Sequence, residues 1–293
     1  MILKEVRSNK RQSAVIISLF TVFVTLIIYF ICQYFELGYI SVLIALIFSV
    51  TSAYVSYYNS DKIILSMNGA RPANQQEDRL LNDILDNLCI ASGLPRPKLY
   101  VIESSAPNAF ATGRNPENAV ICFTTGLIEK LDKYELEGVM AHELSHIKNY
   151  DILLSTVVSV FVGLIVMLAD IFLRVGFRRS NDENKSGSIM MIVGLIAVIL
   201  SPIFSTLMQL ALSRKREYLA DSTAIEITRN PKGLIDALKK ISGDRNPLET
   251  ANKATAHMYI INPLKAAKGE KVSELFSTHP PIEKRVERLE NIS

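Results

Sequence analysis

The sequence predicts a mainly helical α+β integral membrane protein with about four transmembrane helices and a small β-hairpin. Apolar residues concentrate in four runs, at residues 14–32, 38–58, 152–175 and 188–212, and each run is long enough to cross a bilayer as a helix. The segments between and after these pairs of runs have a polar, mixed composition, and short β-rich stretches lie in the first of them. The helical runs and the polar segments therefore alternate along one chain.

Residues 1–59 form the predicted N-terminal transmembrane hairpin. Basic residues precede the first apolar run, and no small-residue cleavage site follows it, so we expect the run to remain as an anchor. A loop at residues 33–37 leads to the second run, which ends in tyrosines typical of a membrane interface. The Lys and Arg bias places both termini and the polar segments in the cytoplasm. Basic residues in the 176–187 linker oppose this orientation without reversing it.

Residues 60–151 form the first predicted polar segment. Residues 77–92 have helical periodicity and are followed by glycine and proline, which predicts a helix that ends there. Residues 98–102 are a strand candidate. Residues 107–113 and 118–124 flank an Asn-Pro turn, which predicts a β-hairpin.

The motif His-Glu-x-x-His ends this segment. Residues 130–140 carry apolar side chains at helical spacing without proline, and on a helix His142 and His146 share one face. The two imidazoles can reach one metal ion, and Glu143 projects beside them as a general base for water. A catalytic zinc site normally takes three protein ligands, so a third ligand is required.

Residues 152–212 form the second predicted transmembrane hairpin. Residues 213–293 follow it and supply candidates for the third ligand. Glu217 and Asp221 share a helix face, so Glu217 could complete the zinc site while Asp221 accepts the N–H of a ligating histidine. The alternative is an ordinary charged helix beside the membrane. Two antiparallel runs bring their ends to the same side, which delivers Glu217 to the histidines.

Four motifs, HELSHIKNYD, SRKREYLAD, PNAFATG and FSTHPP, together resemble the HtpX-type membrane zinc metalloproteases, within the M48 peptidase family that also contains the CAAX prenyl proteases. The resemblance implies a gluzincin-like metalloprotease domain split by the second hairpin. It also implies one zinc ion per chain, bound by His142, His146 and Glu217, with Glu143 as the catalytic base. A role in the quality control of damaged membrane proteins under stress is implied as well.

Other residues have less specific signals. His279 precedes two prolines and is either part of a rigid turn or a donor to the oxyanion, whereas His257 is expected to be structural. Asn108, Ala109 and Phe110 lie on a strand that we expect to be an exposed edge. Such an edge can bind an extended peptide through its main chain, although a plain hairpin edge has the same pattern.

Composition excludes some classes of protein and leaves others open. Three isolated cysteines argue against a disulfide framework. The sequence also has no basic stripe with interleaved aromatic residues, so nucleic acid is not a predicted partner. The predicted partners are polypeptides, in particular unfolded membrane proteins, and the lipid bilayer; the sequence predicts no oligomeric state. The preferred function is a membrane zinc endopeptidase. A zinc-stabilised scaffold or chaperone and a prenyl-protein protease are the alternatives.

Overall fold

The structure is a computed structural model. It describes residues 2–34, 38, 40–74, 79–163, 214–244, 246–248, 254–261, 263 and 279–292. The helices are α1 (Ile2–Tyr34), α2 (Ile40–Tyr58), α3 (Ser60–Met67), α4 (Arg79–Ser92), α5 (Thr125–Lys130), α6 (Lys133–Lys148), α7 (Asp151–Gly163), α8 (Arg214–Thr228), α9 (Pro231–Gly243) and α10 (Ile282–Glu290). The strands are β1 (Arg71–Pro72), β2 (Lys98–Ile102), β3 (Ala109–Gly113) and β4 (Ala119–Thr124).

The first two apolar runs are helical, as predicted, and lie side by side as α1 and α2. The hydroxyl of Thr25 donates a 2.7 Å hydrogen bond to that of Ser49 across this pair. No single helix within the described residues combines the length and the apolar composition needed to cross a bilayer. Val42–Tyr58 and Ser60–Met67 meet both requirements together but are bent by 73°.

The other two apolar runs fall largely on residues that the structure does not describe. Helix α7 covers the start of the third run and is apolar but short. The linker 176–187 and the run 188–212 lie outside the described residues. The number of membrane spans and the division of the chain at residues 59, 151 and 212 therefore stay predictions.

A mixed four-stranded sheet in the order β1-β2-β4-β3 forms the β part of the fold. Strands β3 and β4 pair antiparallel, so the predicted hairpin is confirmed, and β2 is confirmed as a strand. Strand β2 pairs with β4 in parallel. The mainly helical α+β class is therefore confirmed for the described part of the chain.

Helix α6, which carries His-Glu-x-x-His, begins three residues later than predicted. Residues 130–140 were expected to be one helical run, but α5 ends at Lys130 and Asp132 begins a new helix. The Asp132 carboxylate accepts hydrogen bonds from the main-chain N–H groups of Tyr134 and Glu135, and the Glu135 carboxylate accepts from Asp132 N–H. This capping box fixes the start of α6, and hence the direction of the two histidines.

The sheet lies between two apolar layers. Alternate strand residues, such as Ala111 and Ile121, pack on a layer built mainly from α4, α6, α9 and α10. The intervening residues, such as Phe110 and Cys122, pack on a second layer that includes parts of α1, α3 and α7. Because successive strand residues point to opposite faces and both faces are covered, every residue of β3 and β4 is buried.

Helices α6 and α9 approach closely where Gly138 faces the start of α9. A Cβ atom at Gly138 would lie 2.6 Å from the main-chain nitrogen of Leu234. The absence of a side chain therefore allows the C-terminal helices to pack against the helix that carries the histidines.

Candidate metal centre

His142 and His146 lie one turn apart on α6 and point at a common position. Their Nε2 atoms are 3.2 Å apart, and their rings are perpendicular, with an interplanar angle of 89°. Tetrahedral Zn–N bonds of about 2.0–2.1 Å hold two ligand atoms about 3.3 Å apart. The two imidazoles are thus spaced for one tetrahedral ion.

Helix α8 brings Glu217 to the same position. Its Oε2 lies 3.7 Å from His142 Nε2, and its Oε1 lies 3.7 Å from His146 Nε2. One ligand atom from each of the three residues lies within 4.8 Å of the others. The structure therefore brings together the three residues that the sequence analysis selected as metal ligands, from helices that are far apart in the chain.

The charge and hydrogen bonding of Glu217 fit a cation at this position. Among the described residues, no group donates a hydrogen bond to its buried Oε2 atom. Burial would raise the pKa of Glu217, but the neighbouring histidines and Arg285 lower it to about 2, so the side chain is ionised at neutral pH. A buried carboxylate oxygen without a donor, beside two imidazole nitrogens, is suited to bind zinc.

His142 is oriented by Asp221, one turn after Glu217 on α8. The Nδ1 atom of His142 lies 3.0 Å from Asp221 Oδ1, which leaves Nε2 directed at the metal position. Burial and the nearby Arg285 lower the pKa of His142, so the imidazole is held neutral. Asp221 therefore occupies the position that the sequence analysis selected for it, as the acceptor of a histidine N–H.

His146 has a second carboxylate partner, Asp151, that the sequence analysis missed. The His146 Nδ1 atom lies 3.0 Å from Asp151 Oδ2. Burial would lower the pKa of His146, but the hydrogen bond to Asp151 and the charge of Glu217 raise it to about 9. Asp151 stands five residues after His146 in the HELSHIKNYD motif, so the sequence shows the residue but not that the chain turns back on itself there.

Arg285 on α10 was also missed. It is fully buried, and it donates hydrogen bonds of 2.9 and 2.6 Å to the two carboxylate oxygens of Asp221. Its Nη1 atom lies 3.5 Å from Glu217 Oε2. The charged sequence of α10 hides a local signal: Arg285 lies at helical spacing with Ile282, Val286 and Leu289, and therefore on the buried face of the helix.

Glu143 faces a small cavity beside the ligands. The cavity has a volume of about 40 Å³, and Glu143 is 2% exposed. Burial raises the pKa of Glu143 to about 7, although the nearby His146 opposes the shift. A carboxylate with such a pKa can both accept and release a proton near neutral pH.

His279 and His257 line the same cavity. The Nε2 atom of His279 lies 3.9 Å from Glu217 Oε1, and burial lowers the pKa of His279 to about 4, so the ring is neutral at pH 7 and can donate a hydrogen bond. His257 lies 3.4 Å from the hydroxyl of Ser159, and burial lowers its pKa to about 4. The position of His257 beside the candidate site was not predicted.

Strand β3, the candidate for substrate binding, lies at the sheet edge as predicted, but it is not exposed. All five of its residues are buried, and the carbonyl of Ala109 accepts a 2.9 Å hydrogen bond from the main-chain N–H of Ile260. The Asn108 amide donates to the carbonyl of Ile261, and Phe110 points to the opposite face, against Tyr259. The expectation of an exposed edge is wrong because residues 259–261 lie against the start of the strand and Thr156 of α7 bonds to its end.

The comparisons with known proteins agree on one family. The model of Peptidase family M48 matches residues 75–293. A protein named Protease HtpX homolog from Dictyoglomus thermophilum is 46% identical over 284 residues, which cover 97% of this chain and 92% of that protein. A protein of the same name from Listeria monocytogenes is 42% identical over 306 residues and covers 100% of both chains. A crystal structure described as S. mikatae Ste24p has a TM-score of 0.48 at 19% identity, over 98% of this chain and 67% of that one, a similarity too low to support an inference.

Proposed function

This chain belongs to peptidase family M48 and is an HtpX-type metalloprotease, and from that premise we propose that it is a membrane-bound zinc endopeptidase that cleaves cytoplasmic segments of damaged membrane proteins. The resemblance predicted from the four motifs is thereby confirmed. Membership of a peptidase family argues against the alternative of a non-enzymatic, zinc-stabilised scaffold or chaperone. The observation that carries the proposal is the convergence of His142, His146 and Glu217 beside a buried Glu143.

The proposed ligands of one zinc ion per chain are His142, His146 and Glu217. When bound, the ion would supply a Lewis acid that lowers the pKa of water from about 15.7 toward 7 and polarises the substrate carbonyl. Asp221 and Asp151 accept the Nδ1–H groups of the two histidines, so both rings present Nε2 to the ion. The carboxylate partners also increase the basicity of the ligating nitrogens.

Glu143 is the proposed general base. In the metal-free protein its pKa is raised to about 7, which suits a carboxylate that takes a proton from water as the oxygen attacks the peptide carbon and then releases that proton to the leaving amine. Neutral His279, at the same cavity, is the proposed donor to the negative charge that develops on the carbonyl oxygen. Both residues act on the substrate from positions within one cavity.

The proposed substrate site is the outer edge of β3, at Asn108, Ala109 and Phe110. Pairing through the main chain would accept many sequences, as expected of a protease that removes damaged proteins. Because Ile260 N–H already donates to the Ala109 carbonyl, a peptide that pairs with this edge must displace residues 259–261 from it. The present cavity, with a volume of about 40 Å³, has room for a few water molecules.

Glu143→Gln tests the chemistry, and Glu137→Gln on the same helix is the matched control. We expect Glu143→Gln to retain one zinc per chain and to lose casein cleavage by about 10²–10⁴-fold, because the amide cannot accept the proton. The control should cleave like the parent protein. Zinc content and cleavage rates, with and without a chelator, provide the measurements. Cleavage that survives chelation or the Glu143→Gln change would contradict the proposal.

The membrane part of the proposal rests on the four apolar runs and on the exposed apolar side chains of α1 and α2. We propose a multi-pass protein of the cell membrane with its active site facing the cytoplasm. In a cysteine-free parent, Ser180→Cys in the 176–187 linker should react with an impermeant maleimide in intact cells. Lys133→Cys should react only after permeabilisation. The reverse pattern would contradict the orientation.

A further inference from the structure

Asn9, on the N-terminal helix α1, reaches the metal centre through Asp151. It is 2% exposed, and its amide nitrogen donates a 2.7 Å hydrogen bond to Asp151 Oδ1 and a 3.0 Å bond to the carbonyl of Asn149. The other carboxylate oxygen of Asp151 is the one that holds His146 Nδ1 at 3.0 Å. One continuous hydrogen-bonded path therefore joins the first helix of the protein to a proposed zinc ligand.

Arg216 adds a second connection to the same path. Its Nη1 atom donates to Asn9 Oδ1 at 3.2 Å, and its Nε lies 4.0 Å from Asp151 Oδ1. Arg216 is adjacent to Glu217 in the chain, so Asn9 contacts the partner of one proposed ligand and the chain neighbour of another. Both polar ends of the Asn9 side chain are used, and all of the partners are buried.

The turn that carries Asp151 has a strained backbone. Tyr150 has φ 59°, in the left-handed region that a residue with a Cβ atom seldom adopts. Such a conformation persists only where the surrounding structure holds it. Asn9 binds the residues before and after Tyr150, and the ammonium of Lys10 lies 4.0 Å from the centre of the Tyr150 ring.

We propose that Asn9 is a positioning residue of the metal centre, which holds the turn at residues 149–151 so that Asp151 is aimed at His146. The affinity of the site for zinc then depends on the docking of the first helix, although that helix supplies no ligand. The inference rests on the proposed zinc site. It goes further by making the N-terminal anchor a part of that site.

Zinc affinity of the full-length protein in detergent micelles tests the inference, by competition with a chelating dye. We expect Asn9→Ala to raise the zinc Kd about tenfold, at the lower end of the 10–100-fold range typical of groups that orient metal ligands. Asp151→Ala should raise it at least as much. Ser13→Ala, a buried position one turn further along α1, should leave it unchanged.

The double variant decides whether Asn9 acts through Asp151. We expect Asn9→Ala to have no further effect on the zinc Kd when Asp151 is already alanine, because the two residues lie on one path. A full tenfold loss in that background would overturn the inference. So would a zinc Kd within twofold of the parent for Asn9→Ala, even if the metal-free variant melts at a lower temperature.

Three further outcomes are informative. If Asn9→Ala does not fold, Asn9→Leu, which keeps the branched shape of asparagine, gives the same comparison, with the same expected weakening and the same refuting result. Parent protein that binds zinc but does not cleave casein would end the proposed function and leave the inference intact. Parent protein that binds no zinc would end both.

Discussion

Replacing the buried Arg285 by methionine should destabilise the metal-free protein by about 3–5 kcal/mol at neutral pH. The arginine is fully buried, and it donates to both carboxylate oxygens of Asp221, at 2.9 and 2.6 Å. Methionine fills part of the volume but leaves the Asp221 charge buried without its main partner, and breaking a buried pair in this way typically costs that amount. A surface ion pair would cost about 1 kcal/mol or less.

The stabilisation that the Arg285–Asp221 pair provides should depend on pH. Burial alone would raise the pKa of Asp221, but Arg285 and the hydrogen bond to His142 hold it well below its usual range. Since the folded-state pKa lies below the unfolded value of about 3.9, the pair stabilises the protein above about pH 4, and this contribution is lost as the pH falls through the folded-state pKa. In the Arg285→Met variant the pKa of Asp221 is higher than in the parent, so its carboxyl group takes up a proton at a higher pH. The difference in unfolding free energy between Arg285→Met and the parent should therefore be largest at neutral pH and should decrease as the pH is lowered.

The assay is chemical unfolding of the metal-free protein in detergent micelles, followed by circular dichroism. Arg285→Lys should recover only part of the loss, because an ammonium group cannot bind both carboxylate oxygens as the planar guanidinium does. The double variant Arg285→Met with Asp221→Leu removes both charges and should be more stable than Arg285→Met alone. An Arg285→Met protein within about 1 kcal/mol of the parent at pH 7.5 would refute the reasoning.

Three further changes have clear expected results. His257→Gln should make the free energy of unfolding less sensitive to acid, because the folded-state pKa of His257, about 4, lies below its unfolded value of about 6.5. Between pH 7 and pH 5 the parent should therefore lose about 2 kcal/mol more unfolding free energy than the variant. Gly138→Ala should destabilise the protein by about 1–3 kcal/mol, as measured by chemical unfolding, because its Cβ would meet the backbone of α9. Gly243→Ala, where a Cβ meets nothing within 4 Å, is the matched control and should not destabilise. Tyr259→Phe removes a 3.0 Å hydrogen bond from the tyrosine hydroxyl to Asn68 and should loosen residues 254–261. Since a substrate peptide is proposed to displace this segment, kcat/KM for casein should rise by up to about fivefold. An unchanged or lower kcat/KM would argue against the displacement.

Features with a local signal could be predicted from the sequence. The helix at residues 79–92, the strand β2 and the β3–β4 hairpin each follow from periodicity and turn residues within a few positions. His142, Glu143 and His146 are recognisable because one helical turn brings them together. Glu217 and Asp221 required one further step, the argument that an antiparallel apolar hairpin returns the chain to the same side.

Features that depend on distant parts of the chain could not be predicted in this way. Strand β3 was expected to be exposed, because nothing near it in sequence indicates that residues 259–261 lie against its edge. Helical spacing places Arg285 on the apolar face of its helix, but its partner Asp221 lies 64 positions earlier and has no signal near it in sequence. Asn9 stands before an apolar run and is separated from Asp151 by 142 positions.

The chemistry of the centre was thus determined by the sequence, and its surroundings by the tertiary structure. Two imidazoles and a carboxylate on one helical turn predict a metal site and a hydrolytic reaction, because side-chain spacing on a helix is set by 3.6 residues per turn. The burial of those groups, their partners Asp151 and Arg285, and the closure of the β3 edge depend on which helices pack together. That packing is a property of the whole chain, and no segment of it encodes the result alone.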